Sequence, residues 1–167
     1  MARGEQHRGV HARYVDRVTI RPLRDGDTAT VAALFERLGP RSRARRFGGA
    51  KPRLSDAELR ALARVDATHH VLVAYVDGDA EPAGLAQLVR NGDTAEVACA
   101  VADTHQGRGV GTVLTRELAA DARAAGIVRF EATVQGDNPP AVSLLARCSM
   151  QLDVRWTGGE RAFVVAL

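Results

Sequence analysis

Two periods alternate along the chain. Stretches whose apolar residues recur at every second position are interleaved with stretches where they recur every third or fourth. These are the patterns of half-buried strands and amphipathic helices. Arg17 to Arg21 (RVTIR) alternates and predicts a first strand, ended by Pro22. Val31, Leu34, Phe35 and Leu38 share a helical face and predict a helix over 29–38, opened by Asp25-Gly26-Asp27 and stopped by Gly39-Pro40. Ser55-Asp56-Ala57-Glu58 has the form of a capping box and predicts a helix running to about Val65. Val71 to Val76 and Pro82 to Arg90 predict neighbouring strands, and Asn91-Gly92 is a strong hairpin turn signal before a third, Thr94 to Ala102 (TAEVACAVA). Val110, Val113, Leu114, Leu118 and Ala122 line one face of a helix over 110–125 that Gly126 can cap. Ile127 to Val134 predicts the next strand, parallel to the strand before the helix. After the turn Gln135-Gly136-Asp137, Asn138-Pro139-Pro140 opens a helix to about Cys148. Gln151 to Trp156 and Arg161 to Val165, joined at Gly158-Gly159, predict a C-terminal hairpin. The fold class is α/β, of the α+β type: a central mixed sheet flanked by helices.

Between the Thr94 to Ala102 strand and the Val110 helix lies QGRGVG, Gln106 to Gly111. A strand, a glycine-rich turn and a helix in that order form an anion site. The helix start offers unpaired N–H groups and the positive end of its dipole, and glycines let backbone approach a phosphate closely. Three phosphate loops compete. The nucleotide-triphosphate loop requires a Gly-Lys-Ser/Thr ending, and the chain's only lysine is Lys51. The dinucleotide pattern G-x-G-x-x-G fails because Thr112 occupies the third glycine position, and Glu131 lies inside a strand-like run instead of at its end. The third pattern, Gln/Arg-x-x-Gly-x-Gly/Ala, is met in full by Gln106-Gly107-Arg108-Gly109-Val110-Gly111.

With that motif and this order of elements, the chain resembles the GCN5-related N-acetyltransferase superfamily from about Val18 to Met150, and within it the bacterial protein lysine acetyltransferases. The resemblance implies a mixed sheet whose central parallel strands splay around the pantetheine arm of acetyl-coenzyme A. It implies that the amides of Gly107, Arg108, Gly109, Val110, Gly111 and Thr112, following Gln106, hold the pyrophosphate. It places backbone groups of Cys99, Ala100 and Val101 on the pantetheine arm, with Asn138 also contacting it. Glu96 matches a glutamate that serves as general base, and partial burial would raise its pKa toward the working range. An alternating strand would equally present Glu96 to solvent, and Asn138 can act as an N-cap. The family continues Asn-x-x-Ala/Ser-x-x-Leu-Tyr-x-x-x-Gly-Phe. Asn138, Ala141 and Leu144 fit, but Leu145 replaces the tyrosine that often protonates the leaving thiolate, and Ser149-Met150 replaces Gly-Phe. The implied activity is transfer of acetyl from acetyl-coenzyme A to a primary amine, on a protein lysine or a small molecule, by direct attack in a ternary complex. Leu145 keeps a second reading open, a non-catalytic acyl-coenzyme A-binding sensor or interaction module.

Composition narrows the partners. Of 167 residues, 46% are hydrophobic and 26% charged, with a formal net charge of +3, as in an ordinary globular domain. No basic patch is interleaved with aromatics, so nucleic acid is not expected. No long apolar span or signal-peptide core appears, which gives a cytoplasmic expectation with no membrane partner. Cys99 and Cys148 each sit in an apolar run and read as reduced buried thiols. His69 and His70 lack a third ligand at metal spacing, so no metal is expected. Met1 to Asp16, polar and aperiodic, reads as a flexible arm before a single domain over 17–167. The arginine cluster Arg41 to Arg46, before Phe47, reads as a wall of the acceptor pocket, as a clamp on an acidic substrate or, more simply, as a solvated helix anchored by Phe47. Homodimers are common in the family.

Overall fold

A computed structural model describes residues 14–135, 138–148, 151–157 and 160–167. Most of the expected arm, the Gly136-Asp137 turn, Ser149-Met150 and Gly158-Gly159 lie outside the described residues. Among the described residues seven strands form one sheet: β1 (Val18–Pro22), β2 (His69–Val76), β3 (Gly84–Asn91), β4 (Thr94–Val101), β5 (Arg129–Val134), β6 (Leu152–Thr157) and β7 (Glu160–Ala166), in the order β1-β2-β3-β4-β5-β7-β6. All pairings are antiparallel except β4 with β5, the parallel pair expected from the intervening helix.

Helices cover both faces. Alternation along β4 turns Ala95, Val97, Cys99 and Val101 one way and Glu96, Ala98 and Ala100 the other. The first face packs under α4 (Val110–Ala124) and α5 (Pro139–Ala146), where Val110, Leu114 and Leu118 meet Leu72, Ala86, Leu88 and Phe130. The second face packs under α1 (Thr28–Glu36) and α3 (Asp56–Leu62) and includes Val31, Leu34, Val71, Val73 and Leu85. A further helix, α2 (Pro40–Phe47), borders β4.

Capping explains the ends. Asp27 accepts from the Thr30 amide at 3.0 Å and opens α1. Ser55 and Glu58 form the reciprocal capping box of α3. The β5 strand starts two residues later than expected. Gly126, at φ 79°, lets the Ile127 amide turn back to the Ala122 carbonyl at 2.9 Å and close α4 before extended backbone begins. Helices α3 and α5 likewise end earlier than the periodicity suggested, at Leu62 and Ala146.

Candidate active site

The parallel ladder between β4 and β5 is short. It pairs Thr94 with Arg129, Ala95 with Phe130 and Glu96 with Glu131, and goes no further. Beyond Glu96 the strands part while β4 stays paired to β3 as far as Val101. The gap belongs to a cavity of about 1120 Å³ lined by Glu96 to Val101, by Ala132 to Gln135 on β5, and by the start of α4. The Ala102 amide donates to Ala83 at 2.9 Å, so the β4 residues in phase with it (Ala100, Ala98, Glu96) turn their backbone groups to β3. Val97, Cys99 and Val101 turn theirs to the gap. Among the expected backbone contacts, Cys99 and Val101 therefore face the cavity, and Ala100 faces β3.

At the upper end of the gap, Gly107 and Gly109 adopt left-handed conformations at φ 70° and 93°. The first intrahelical bond of α4 runs from the Val113 amide to the Gly109 carbonyl at 3.0 Å, and among the described residues no side chain caps this start. The amides just inside α4 therefore point out unclaimed, where the dipole favours an anion. Gly111 has no room for more: a Cβ there would lie 3.1 Å from Leu144 Cδ1 and 3.4 Å from Val101 Cγ2. The Gln106 side chain donates to the Val101 carbonyl at 2.9 Å and to Ser42 Oγ at 3.0 Å, holding the loop against β4 and α2. Arg108 is exposed and lies 5.1 Å over the Tyr14 ring, and Val110 is buried in the core. Gln106, Gly107, Gly109, Gly111 and Thr112 line the cavity; Arg108 and Val110 are not among its lining residues. Asn138 lines it too, while its side chain accepts from the Ala141 amide at 3.4 Å as the cap of α5.

Behind the loop lies a polar network that spacing could not reveal. His105 is buried, with Nδ1 bonded to the Tyr14 hydroxyl and Nε2 2.9 Å from Asp79 Oδ2. Arg37 donates to the same Asp79 oxygen at 2.6 Å and to the Pro82 carbonyl at 3.2 Å. The Arg37 guanidinium, then His105 and the Glu81 amide, hold the Asp79 carboxyl well below the usual carboxylate range. Tyr14 and Val15, at the end of the expected arm, thus lie against the loop.

Glu96 stands where the strands part, on the face shared with Glu131 and Gln87. It is exposed. Of the two alternatives, partial burial or the exposed face of an alternating strand, the second holds. Arg46 reaches in from α2 to donate to Gln87 Oε1 at 2.5 Å. Burial lowers its pKa, opposed by the nearby Cys99 and Glu96. The arginine cluster is therefore not simply a solvated helix. Arg43 lies 4.0 Å over the Phe35 ring, and Arg45 and Arg46 line the cavity, although Phe47 does pack edge-on against Phe35 as expected. Burial pushes the Cys99 thiol up to about 12 and raises Cys148 as well, which keeps both in the protonated thiol form near neutral pH. Leu145 is buried, and no tyrosine lines the cavity among the described residues. His69 and His70 bond to Asp66 and Asp121, and no group of three or more residues able to hold a metal occurs among the described residues. No helix among them is long and apolar enough to cross a membrane.

This architecture is that of the acetyltransferase (GNAT) family, whose sequence model matches residues 33–150, and the chain belongs to that family. It is 35% identical over 136 residues to a mycothiol acetyltransferase of Nocardia farcinica, covering 80% of this chain and 41% of that protein. An acetyltransferase of Pseudomonas aeruginosa is 33% identical over 114 residues, covering 65% of this chain and 61% of that protein. The chain thus spans less than two thirds of either relative. Among solved structures, the GNAT domain of S. lividans PAT superposes with a TM-score of 0.80 at 28% identity, covering 90% of each chain.

Proposed function

We propose that this chain transfers an acetyl group from acetyl-coenzyme A to a primary amine, by direct attack while both substrates are bound. One observation carries the reading: a single cavity runs from the uncapped start of α4, along the open edge of β4, to Glu96. The amides of Gly107 to Thr112 receive the pyrophosphate, and the Cys99 and Val101 edge receives the amide groups of the pantetheine arm. The Val101 carbonyl is already held by Gln106, which leaves its N–H for the ligand. From Val101 to Glu96 the strand extends roughly 17 Å at about 3.3 Å per residue, which sets the carboxylate well down the arm from the phosphate loop. Asp16 and Glu96 are the carboxylates lining the cavity among the described residues, and only Glu96 stands where the strands part.

In the reaction, the amine nitrogen bonds to the thioester carbonyl carbon and the carbon–sulfur bond breaks. The proton lost by nitrogen passes to the Glu96 carboxylate, directly or through water. The coenzyme leaves as a thiolate and takes a proton from solvent, because Leu145 offers no hydroxyl. The acceptor is a protein lysine or a small-molecule amine, approaching on the open face at Glu96. That same missing hydroxyl favours the second reading, an acyl-coenzyme A sensor.

Calorimetric titration with acetyl-coenzyme A, paired with transfer assays on an amine and peptide panel, tests both. The expected result is binding by wild type and by Glu96→Gln alike, with transfer in the variant lower by about 10²–10⁴-fold. Transfer retained in Glu96→Gln removes Glu96 from the mechanism. Binding without transfer to any amine establishes the sensor, and absence of binding sinks both readings.

A further inference from the structure

Helix α2 lies across the gap on the face that carries Glu96. Near its start, Ser42 Oγ accepts from the Gln106 side chain of the phosphate loop at 3.0 Å. Just past its end, Gly48 stands against Gln135, where β5 has stopped; a Cβ on Gly48 would lie 2.6 Å from Gln135 Nε2. Gln135 in turn donates to Glu160 of β7 at 2.8 Å. The helix therefore roofs this side of the cavity from the loop to the far strands. A roof of this kind suits a small acceptor better than the lysine of a folded partner.

Arg46 hangs from that roof. Its Nη2 donates to Gln87 Oε1 at 2.5 Å, and Gln87 is itself fixed, with Nε2 donating to the Leu62 carbonyl at 2.9 Å. Gln87 pairs in register with Ala98, so the guanidinium sits over the Ala98 position of β4. Glu96 lies two residues along on the same face, about 7 Å away by strand rise. That spacing is too wide for the two charges to neutralise each other and narrow enough for one small molecule to touch both.

The partner that holds Arg46 is neutral. Arg46 makes no ion pair among the described residues. Its Nε and Nη1 have no hydrogen-bond partner among them either, and the buried side-chain atom left unpartnered there is Arg43 Nε. The spare nitrogens of Arg46 are thus accessible, and Arg46 lines the cavity. A half-buried guanidinium with its charge uncancelled is costly unless an anion meets it, and its planar fork matches a carboxylate. The cavity so presents a fixed cation and, one side-chain spacing away, the Glu96 carboxylate.

We propose that Arg46 is a specificity-determining residue: the acceptor side of the cavity takes a small primary amine that carries a carboxylate, such as a free amino acid, with its nitrogen toward Glu96 and its carboxylate on Arg46. Gln87 is the positioning residue that aims the guanidinium without spending its charge. The proposal rests on the acetyl-transfer reading and narrows its acceptor from any primary amine to a zwitterion.

The experiment compares the common L-amino acids, each beside its own α-amide, as acceptors in steady-state transfer assays and as ligands in calorimetry with coenzyme A present. Wild type is set against Arg46→Gln, Arg46→Lys and Gln87→Glu, and acetyl-coenzyme A titration reports whether each variant is folded. Wild type should favour the acid over its amide by about tenfold or more in kcat/KM, with most of the difference in KM. Arg46→Gln should bring that ratio close to one, and Arg46→Lys should keep part of it. Gln87→Glu should also abolish the preference, because it gives Arg46 an internal carboxylate while leaving the guanidinium in place. This variant keeps the test decisive should Arg46→Gln fail to fold. Transfer to amines with no preference for the acid overturns the proposal and leaves the acetyl-transfer reading standing. A preference that survives Gln87→Glu, or transfer confined to lysine peptides, overturns it as well. Selective binding of the acid, lost in Gln87→Glu, in a protein that acetylates no amine upholds the Arg46 site and sinks the transfer reading instead.

Discussion

Replacing Asp79 by asparagine isolates the polar network that braces the phosphate loop. The carboxylate takes a hydrogen bond from Arg37 at 2.6 Å, lies 2.9 Å from His105 Nε2, and accepts from the Glu81 amide at 3.0 Å. A proton on His105 Nε2 satisfies both sides of the ring, since Nδ1 then accepts from Tyr14. Asparagine keeps the shape and one oxygen but loses the charge. Hydrogen bonds to a charged group contribute about 1.5–3 kcal/mol each when buried. The Asp79 side chain is 27% exposed and that of Arg37 23%, so the Arg37 and His105 bonds together are discounted to about 2 kcal/mol. For a domain of this size that is a fall in Tm of about 4–8 °C near neutral pH.

The pH dependence has a definite sign. Asp79 is depressed in the folded state, so its stabilisation is present above the unfolded carboxyl value near 3.9 and is lost as pH falls toward the folded value. Thermal melts of wild type and Asp79→Asn between about pH 7 and pH 3 should therefore show a gap that is full near neutrality and begins to narrow below about pH 4. A gap under about 1 °C near pH 7, or one that stays constant into acid, refutes the reasoning.

Two further substitutions probe the loop and the core. Gly107 and Gly109 share a left-handed conformation, but a Cβ on Gly107 meets nothing within 4 Å, whereas one on Gly109 lies 2.7 Å from Val15 Cγ2. Gly109→Ala should therefore raise the KM for acetyl-coenzyme A more than Gly107→Ala does, with each losing about 1–2 kcal/mol to backbone strain; equal KM values in steady-state kinetics would count against the Val15 contact. Leu114 is fully buried and sits where a Cβ on Gly84 would approach it at 2.8 Å. Leu114→Ala should cost about 2–5 kcal/mol in urea unfolding, and a loss below about 1 kcal/mol would mean the core collapses into the space.

Much of this fold can be read from periodicity because its ladders are local. The β2–β3–β4 meander follows from alternation plus the Asn91-Gly92 turn, and the parallel relation of β4 and β5 follows from the helix between them. The loop is legible because its glycines are needed for backbone reasons that any such loop shares. The gap between β4 and β5 is not legible in the residues themselves: Val97 to Val101 looks like any strand, and only the loss of its neighbour at Ala132 marks it. The network through Tyr14, His105, Asp79 and Arg37 joins residues up to 91 positions apart, and each reads as an ordinary surface residue alone. Glu96 was legible as the charge inside an apolar strand, but whether it is buried or exposed is set by packing that the strand pattern does not encode. Arg46 lay within a run of arginines with nothing to single it out, until α2 set it beside Gln87.

The parting of β4 from β5 leaves the outward N–H and C=O groups of Val97 and Cys99 as interior edges within one sheet. An extended ligand with its own amide groups can lie there as a missing strand, closing a ladder that the polypeptide leaves open. Substrate capture is then also the completion of a secondary structure. With such a ligand bound, the centre of the sheet, usually the last part of a domain to exchange its amides with water, would become a part whose protection depends on a small molecule. Under the proposed function, resistance to unfolding should climb by about 1.4 kcal/mol for each tenfold rise of that ligand above its Kd, which ties the stability of this sheet to the supply of a small molecule.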